Sequence, residues 1–183
     1  MRVCQRHAGR NRLRRLSAEV TSLCPGCGLE LPSDSTAPEG RHNSSPECWR
    51  LFGELSAYTL THGDPGFIHQ HAVDAWQLQH SLITKSNIGI AFSLIGLYLA
   101  IEKGQTGRQA QLAHMELGRV KRDWGRFEIP EQRASLTVRD VLEVPPGPGR
   151  EAKLMEWAKA VWMSWSHAHG WTAEICKNLL SRE

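Results

Sequence analysis

The stretch IGIAFSLIGLYLAI, residues 88–101, is the longest apolar run in the chain, and it decides the class of fold that we expect. It is too short to span a membrane, because a membrane helix needs about 20 apolar residues. Apolar side chains lie on nearly all of its helical faces, which is typical of a buried helix. The run therefore predicts a central core helix over roughly residues 87–103, ended by Gly104.

Two helix-start signals precede this central helix. In the first, Ser45 is an N-cap, Pro46 takes the first helical position and Glu47 lies in the positive first turn. Asp64-Pro65 repeats the signal before a second helix. One face of that helix carries, at helical spacing, His69, Ala72, Val73, Trp76 and His80. His71 falls on the opposite side and is expected to face outward.

The region after the central helix also reads as helical. The pattern predicts a polar helix over 108–121, a short helix or extended stretch within 136–144, and one long helix over about 151–180. No run alternates with period two over enough residues to require a sheet. We therefore predict an all-α protein, with residues 21–183 forming a single helical bundle that carries an N-terminal zinc-knuckle loop.

Charge is distributed unevenly along the chain. The formal net charge is +3, yet residues 1–15 contain six arginines and no carboxylate, which leaves 16 basic against 19 acidic groups in the rest. We predict a disordered basic arm over residues 1–20, read as a presequence, a nucleic-acid arm or, preferably, upstream sequence from an early start codon. Because the remaining body is slightly acidic, the composition argues against a nucleic-acid partner.

Cysteine spacing gives the strongest chemical signal. The segment Cys24-Pro25-Gly26-Cys27-Gly28 has the form of a zinc knuckle, in which two thiolates bind one tetrahedral ion at about 2.3 Å. Cys48 is the expected third ligand, since the positive end of its helix favours a thiolate. The odd count of five cysteines and the absence of a signal peptide favour a reducing, cytoplasmic compartment. An unligated pair and a redox-active pair are the alternatives.

The fourth zinc ligand is less defined by the sequence. The candidates are His42, His69, His71, His80 and His169. Helix facing favours His69 or His169, and loop position favours His42; we predict His69. A site with three protein ligands and a water would instead be catalytic, because zinc lowers the pKa of bound water toward ~7.

A second group of residues suggests a pocket for a small molecule. Its members are His69, Asp74, His80 and His169, with Trp76, Trp162 and Trp165 on the same predicted faces. His69 and His80 are roughly 16 Å apart along one helix, so they cannot bind the same ion. If the protein is an enzyme, we expect His80, His169 and Asp74 to be catalytic. The tryptophans at helical spacing also fit an ordinary core.

Four segments together resemble a family of small bacterial proteins of unknown function. They are Cys24 to Gly28, Ser45 to Trp49, His69 to His80, and Val161 to His169, with the patterns CPGCG, SPxCW, HxxxVDA[YW]xxQH and VWxxWxxxH. The resemblance implies that His69, Asp74, His80 and His169 belong together, and that His71 and His167 do not. Ser81-Leu82 departs from the Pro-Gly expected there, and the loop before Cys48 is shortened.

Two hypotheses for function follow. In the first, Zn²⁺ is structural and the protein is a binding or accessory module with a His/Trp-lined pocket. In the second, the protein is a metal-dependent hydrolase or transferase that acts on a small molecule through its inward-facing histidines. No membrane partner is expected, and the sequence gives no oligomeric state.

Overall fold

The computed structural model describes residues 20–37, 39–40, 42–82, 87–120 and 122–180, so the predicted basic arm lies almost entirely outside it. The described residues form a mostly helical structure, as predicted. The helices are α1 Pro46–Thr61, α2 His69–Gln79, α3 Ile88–Lys103, α4 Gly107–Leu117, α5 Val138–Leu142, α6 Pro148–Ser164 and α7 His169–Leu180. Two short strands precede them, β1 Thr21–Leu23 and β2 Glu30–Pro32.

The apolar stretch forms the predicted central helix. α3 packs against α2, α4, α6 and α7, so it is covered on several sides. Asn87 precedes its first turn, and Gly104 ends it in the left-handed conformation with φ 63°. Glycine takes this conformation without steric cost, which explains why the helix ends there.

Side-chain caps set the starts of α1 and α2 in different ways. Ser45 Oγ accepts a hydrogen bond from the Cys48 amide at 3.2 Å, so α1 begins where the sequence predicts. The Asp64 carboxylate instead caps a turn, accepting from the amides of Gly66 at 2.7 Å and Ile68 at 2.8 Å. α2 therefore begins only at His69, later than the start signal suggests.

The predicted long C-terminal helix is two helices. α6 ends at Ser164, and a 3-10 turn, Ser166–Ala168, leads into α7. Trp165 leaves the helical conformation with φ −96° and ψ 26°. The Trp162 carbonyl accepts two hydrogen bonds at the break, from the Trp165 amide at 3.0 Å and from His169 Nε2 at 3.0 Å.

The front of the molecule is a small hairpin. β1 and β2 pair antiparallel, with Ser22 opposite Leu31. Each strand has three residues, too few for the alternation that marks a strand in sequence. Among the described residues, no helix is long and apolar enough to cross a membrane.

Five of the seven tryptophans are buried in the core. The indoles buried most completely are Trp76, Trp157, Trp162 and Trp165. Two of them donate to polar side chains, Trp157 to Gln79 at 3.0 Å and Trp162 to Glu102 at 2.9 Å. They link α6 to α2 and α3, so their role is packing.

Candidate metal centre

Four side chains meet in one buried group that could hold a metal ion. Their ligand atoms all lie within 4.8 Å of one another, and the residues are Cys24, Cys27, Cys48 and His80, called the metal centre below. In the part of the chain that the structure describes, no other group of three or more such side chains meets in this way. Three separate segments contribute to it: the knuckle of residues 24–28, the first turn of α1 and the end of α2.

The knuckle is the turn between β1 and β2. The Cys24 amide donates to the Leu29 carbonyl at 2.8 Å, and the Gly28 amide donates to the Cys24 carbonyl at 2.9 Å. Gly28 has φ 78°, a conformation that side chains disfavour. The turn thus brings both of its sulfurs to the same side of the hairpin.

Cys48 joins the knuckle from α1. Its Sγ lies 3.6 Å from Cys27 Sγ and 3.6 Å from His80 Nε2. Its amide is held by the Ser45 cap, which fixes the first turn of α1 at the centre. The cap and the third thiol therefore depend on the same local sequence.

His80 completes the centre from the residue that ends α2. Its Nδ1 lies 3.0 Å from the Trp76 carbonyl, which must accept the Nδ1 proton. The ring stacks on the Trp76 indole with centroids 3.6 Å apart. This hydrogen bond leaves Nε2, the nitrogen nearest Cys48, with the free lone pair that a metal ion requires.

Contacts among the three thiols shift their pKa values in different directions. Hydrogen bonds from Cys27 and Cys48 hold the pKa of Cys24 far below its usual range. Hydrogen bonding to Cys24 raises the pKa of Cys27 to about 11, and the same contact raises the pKa of Cys48. Three thiolates cannot coexist here without a positive ion, and metal binding is what ionises such clusters.

His69, the predicted fourth ligand, is not in this group. Its Nδ1 lies 2.8 Å from Thr59 Oγ1, and its ring packs edge-on against Phe67. His69 and His80 share a face of α2, so their helical positions alone do not tell which of them meets the cysteines. The structure places the His80 end of that face, and not the His69 end, against the cysteines.

The other proposed candidates also lie elsewhere. His42 is in a loop with φ 58°, and its ring faces Trp49 at 6.4 Å. His169 stacks on Trp162 at 3.7 Å between ring centroids. His167 is exposed, as predicted, and donates to the Glu128 carbonyl at 3.1 Å. The residues expected to be catalytic, His80, His169 and Asp74, therefore have separate environments.

Asp74 belongs to a buried polar cluster between α2, α3 and α4. Its Oδ1 accepts from Gln70 Nε2 at 3.1 Å, while Oδ2 has no partner among the described residues. A Cβ built on Gly96 would lie 2.0 Å from that Oδ2 and 3.0 Å from His114 Cε1, so the glycine makes room for both groups. Burial raises the pKa of Asp74 well above its usual value.

His71 is buried, contrary to the outward position that its helical angle suggests. It is 4% exposed, and its Nδ1 has no partner in the described part of the chain. Burial lowers its pKa to about 4. The prediction failed because α4 covers the side of α2 that the sequence pattern left open.

The sequence patterns do not point to Arg133 or to a groove beside it. Arg133 Nη2 donates to the Pro25 carbonyl at 3.1 Å, although the two residues are 108 positions apart. No local pattern signals such a contact. The groove has a volume of about 440 Å³ and is lined by the knuckle, the end of α2 and residues 129–133.

A known family matches most of the chain. The sequence model of a family of unknown function (DUF5946) matches residues 22–166, which include all four residues of the metal centre. No curated protein and no solved structure matches the chain.

Proposed function

This chain belongs to the DUF5946 family of unknown function, and we propose that it binds one zinc ion at the metal centre, where the ion has a structural role. The observation that carries the proposal is the convergence of three thiols and one imidazole within 4.8 Å in the core. Three cysteines and one histidine are a common donor set of structural zinc sites, which are tetrahedral and four-coordinate.

The donor set favours zinc over harder cations. Thiolate and imidazole ligands suit zinc, whereas calcium and magnesium prefer oxygen. The Trp76 carbonyl that orients His80 is the outer partner that metal-bound histidines normally have. Every donor needed for a four-coordinate ion is therefore present.

Burial supports a structural role over a catalytic one. Cys27 is 6% exposed, and the other three residues of the centre are 0% exposed. A catalytic zinc keeps a position open for water or substrate, and four protein ligands leave none. We therefore assign the ion to holding the hairpin, α1 and α2 together.

A bound ion would stabilise the hairpin at the front of this fold. An isolated two-stranded hairpin is at best marginally stable in water, and this one has strands of three residues. A bound ion would fasten it to two helices. On this basis we propose a small binding or accessory module that functions in a reducing compartment such as the cytoplasm, where the thiols stay available for metal.

The test compares Cys24→Ser with Cys176→Ser. Cys176 is also buried but lies outside the metal centre. We expect the Cys24 variant to lose its zinc and to melt at a lower temperature, because binding free energy at such sites is largely folding free energy. The Cys176 variant should keep one ion per chain, measured by elemental analysis of the purified protein.

A second pair of variants tests the fourth ligand. His80→Asn should release the ion, whereas His69→Asn should retain it, since His69 contacts Thr59 instead. The proposal is wrong if Cys24→Ser keeps both its metal and its melting temperature. A stoichiometry of two tightly bound ions would contradict a purely structural single site.

A further inference from the structure

Arg133 lies directly against the turn that carries two of the cysteines. Its Nη2 donates to the Pro25 carbonyl at 3.1 Å. A Cβ built on Gly28 would lie 2.5 Å from Nη1 and 3.2 Å from Cζ, so the guanidinium covers the other end of the same turn. The arginine therefore spans the knuckle from its second to its fifth residue.

In the part of the chain that the structure describes, no carboxylate forms an ion pair with the exposed side chain of Arg133. Glu131 lines the same groove, and it is the carboxylate among that groove's lining residues. The guanidinium thus remains available to interact with the charge of the centre itself.

A loaded metal centre would carry one excess negative charge. Three thiolates and one neutral imidazole around a divalent ion leave a net charge of −1, in a place where every ligand residue is buried. Buried charges are costly unless an opposite charge or hydrogen-bond donors lie nearby. Backbone amides of the knuckle supply donors, and the guanidinium of Arg133 adds a full positive charge beside the same turn.

We propose that Arg133 is the counter-ion of the metal centre and so sets how the bound thiolates react. This rests on the proposed function, because the negative charge exists only with a divalent ion in place. The positive charge makes the metal-bound sulfurs less nucleophilic, so they react more slowly with a neutral electrophile. It also attracts an anionic reagent into the groove beside the knuckle.

The experiment uses two alkylating reagents that differ in charge. Iodoacetamide is neutral and iodoacetate is an anion, but both transfer a carbon to the thiolate sulfur and release iodide. The zinc-loaded full chain is treated with each at low ionic strength, and the rate of zinc release is followed with a chromogenic chelator. The ratio of the iodoacetate rate to the iodoacetamide rate reports the local charge.

Three variants separate charge from packing. In Arg133→Gln, which keeps hydrogen-bond donors, the ratio should fall several-fold, with faster reaction of iodoacetamide. Arg133→Lys keeps the charge and should retain the wild-type ratio. Glu131→Gln removes the opposite charge from the groove and should raise the ratio. Added salt should lower the wild-type ratio toward that of the Gln variant, since screening weakens exposed charges.

The outcomes distinguish this inference from the proposed function. If Arg133 only holds the loop in place, Arg133→Gln speeds both reagents equally, Lys gives no rescue, and the inference is overturned. If the Arg133→Gln variant does not fold, two other measurements still test the inference. They are the salt dependence of the wild-type ratio and the ratio for Glu131→Gln, and the inference is wrong if neither changes as expected. A wild-type protein without zinc would instead refute the metal site before Arg133 is tested.

Discussion

Gly26 shows how closely the knuckle backbone approaches the rest of the centre. A Cβ built at this position would lie 2.5 Å from the Asn43 carbonyl oxygen and 2.7 Å from His80 Cδ2. Real Cβ atoms do not come this close to backbone oxygen or to a packed ring. The glycine is therefore required by space, because the backbone conformation there is ordinary.

We predict that Gly26→Ala lowers the stability by about 1–3 kcal/mol, the usual cost of forcing an extra methyl group into a packed site. It should also weaken zinc retention, because the His80 ring must move. Gly53→Ala is the matched control: nothing lies within 4 Å of its Cβ position inside α1. That change should stabilise the protein by about 0.5–1 kcal/mol.

Urea unfolding of the two variants, with zinc content measured in parallel, checks this prediction. Equal stabilities would mean that the knuckle backbone is not pressed against His80. If Gly26→Ala loses zinc but is as stable as the wild type, the close approach of Gly26 to His80 matters for metal binding and not for folding.

The residues of the metal centre differ in how well the sequence alone predicts them. Cys24, Cys27 and Cys48 were identified from local patterns, a two-residue spacing and a helix start. The role of His80 depends on where α2 ends relative to the hairpin, and that is set by packing between distant segments. Spacing along one helix placed His69 and His80 on the same face but could not say which end meets the cysteines.

At the scale of elements, local signals mark the start of α1 and both ends of α3, whereas the signal at Asp64 marks a turn ahead of α2. α3 begins after Asn87 and ends at Gly104, and α1 begins after Ser45, as the sequence indicates. The division between α6 and α7 has no such local mark. The apolar repeat continues through it, because Trp162 before the break and Ile175 after it are buried in the same core.

The contact of His169 with α6 belongs to this division. Its ring stacks on the Trp162 indole, tilted by 9° with centroids 3.7 Å apart, and Nε2 donates to the carbonyl of the same residue. One side chain thus covers the indole and adds a second hydrogen bond to a carbonyl that also accepts from the Trp165 amide. His169 therefore has a packing role in this structure, and its catalytic role stays a prediction.

We predict that His169→Ala lowers the stability by about 1–3 kcal/mol. The stack contributes about 0.5–1.5 kcal/mol and the hydrogen bond a similar amount. Zinc content should stay at the wild-type value, since His169 is outside the metal centre. Thermal unfolding and elemental analysis check both parts; loss of the ion in this variant would return His169 to the ligand set.

At the scale of the whole molecule, the buried polar cluster makes folding depend on pH. Asp74 is 2% exposed, and the groups that face it are Gln70, His114 and the backbone at Gly96, with His71 one turn earlier on α2. Burial raises the pKa of Asp74 and lowers that of His71 to about 4. The Asp74 shift lowers the stability as pH rises, and the His71 shift lowers it as pH falls.

The signs follow from the protons bound in each state. Unfolded Asp74 ionises near its ordinary pKa of about 3.9, whereas the folded protein keeps the proton to higher pH. Its contribution to stability is therefore present at low pH and is lost as pH rises through the raised pKa. Unfolded His71 takes up a proton below about 6.5, so stability is lost as pH falls from there toward about 4.

Asp74→Asn should remove the loss of stability at rising pH and leave the loss at falling pH unchanged. The amide has nearly the same shape and cannot ionise, so the difference in unfolding free energy between this variant and the wild type should grow in favour of the variant as pH rises above about 4, the ordinary pKa of an aspartate. Asp123→Asn, at an exposed carboxylate, controls for the change in net charge. Urea unfolding across this pH range gives the comparison. Parallel profiles for wild type and Asp74→Asn would mean that Asp74 is already ionised in the folded protein, which would require a cation or donors beside Oδ2 that pair with the carboxylate.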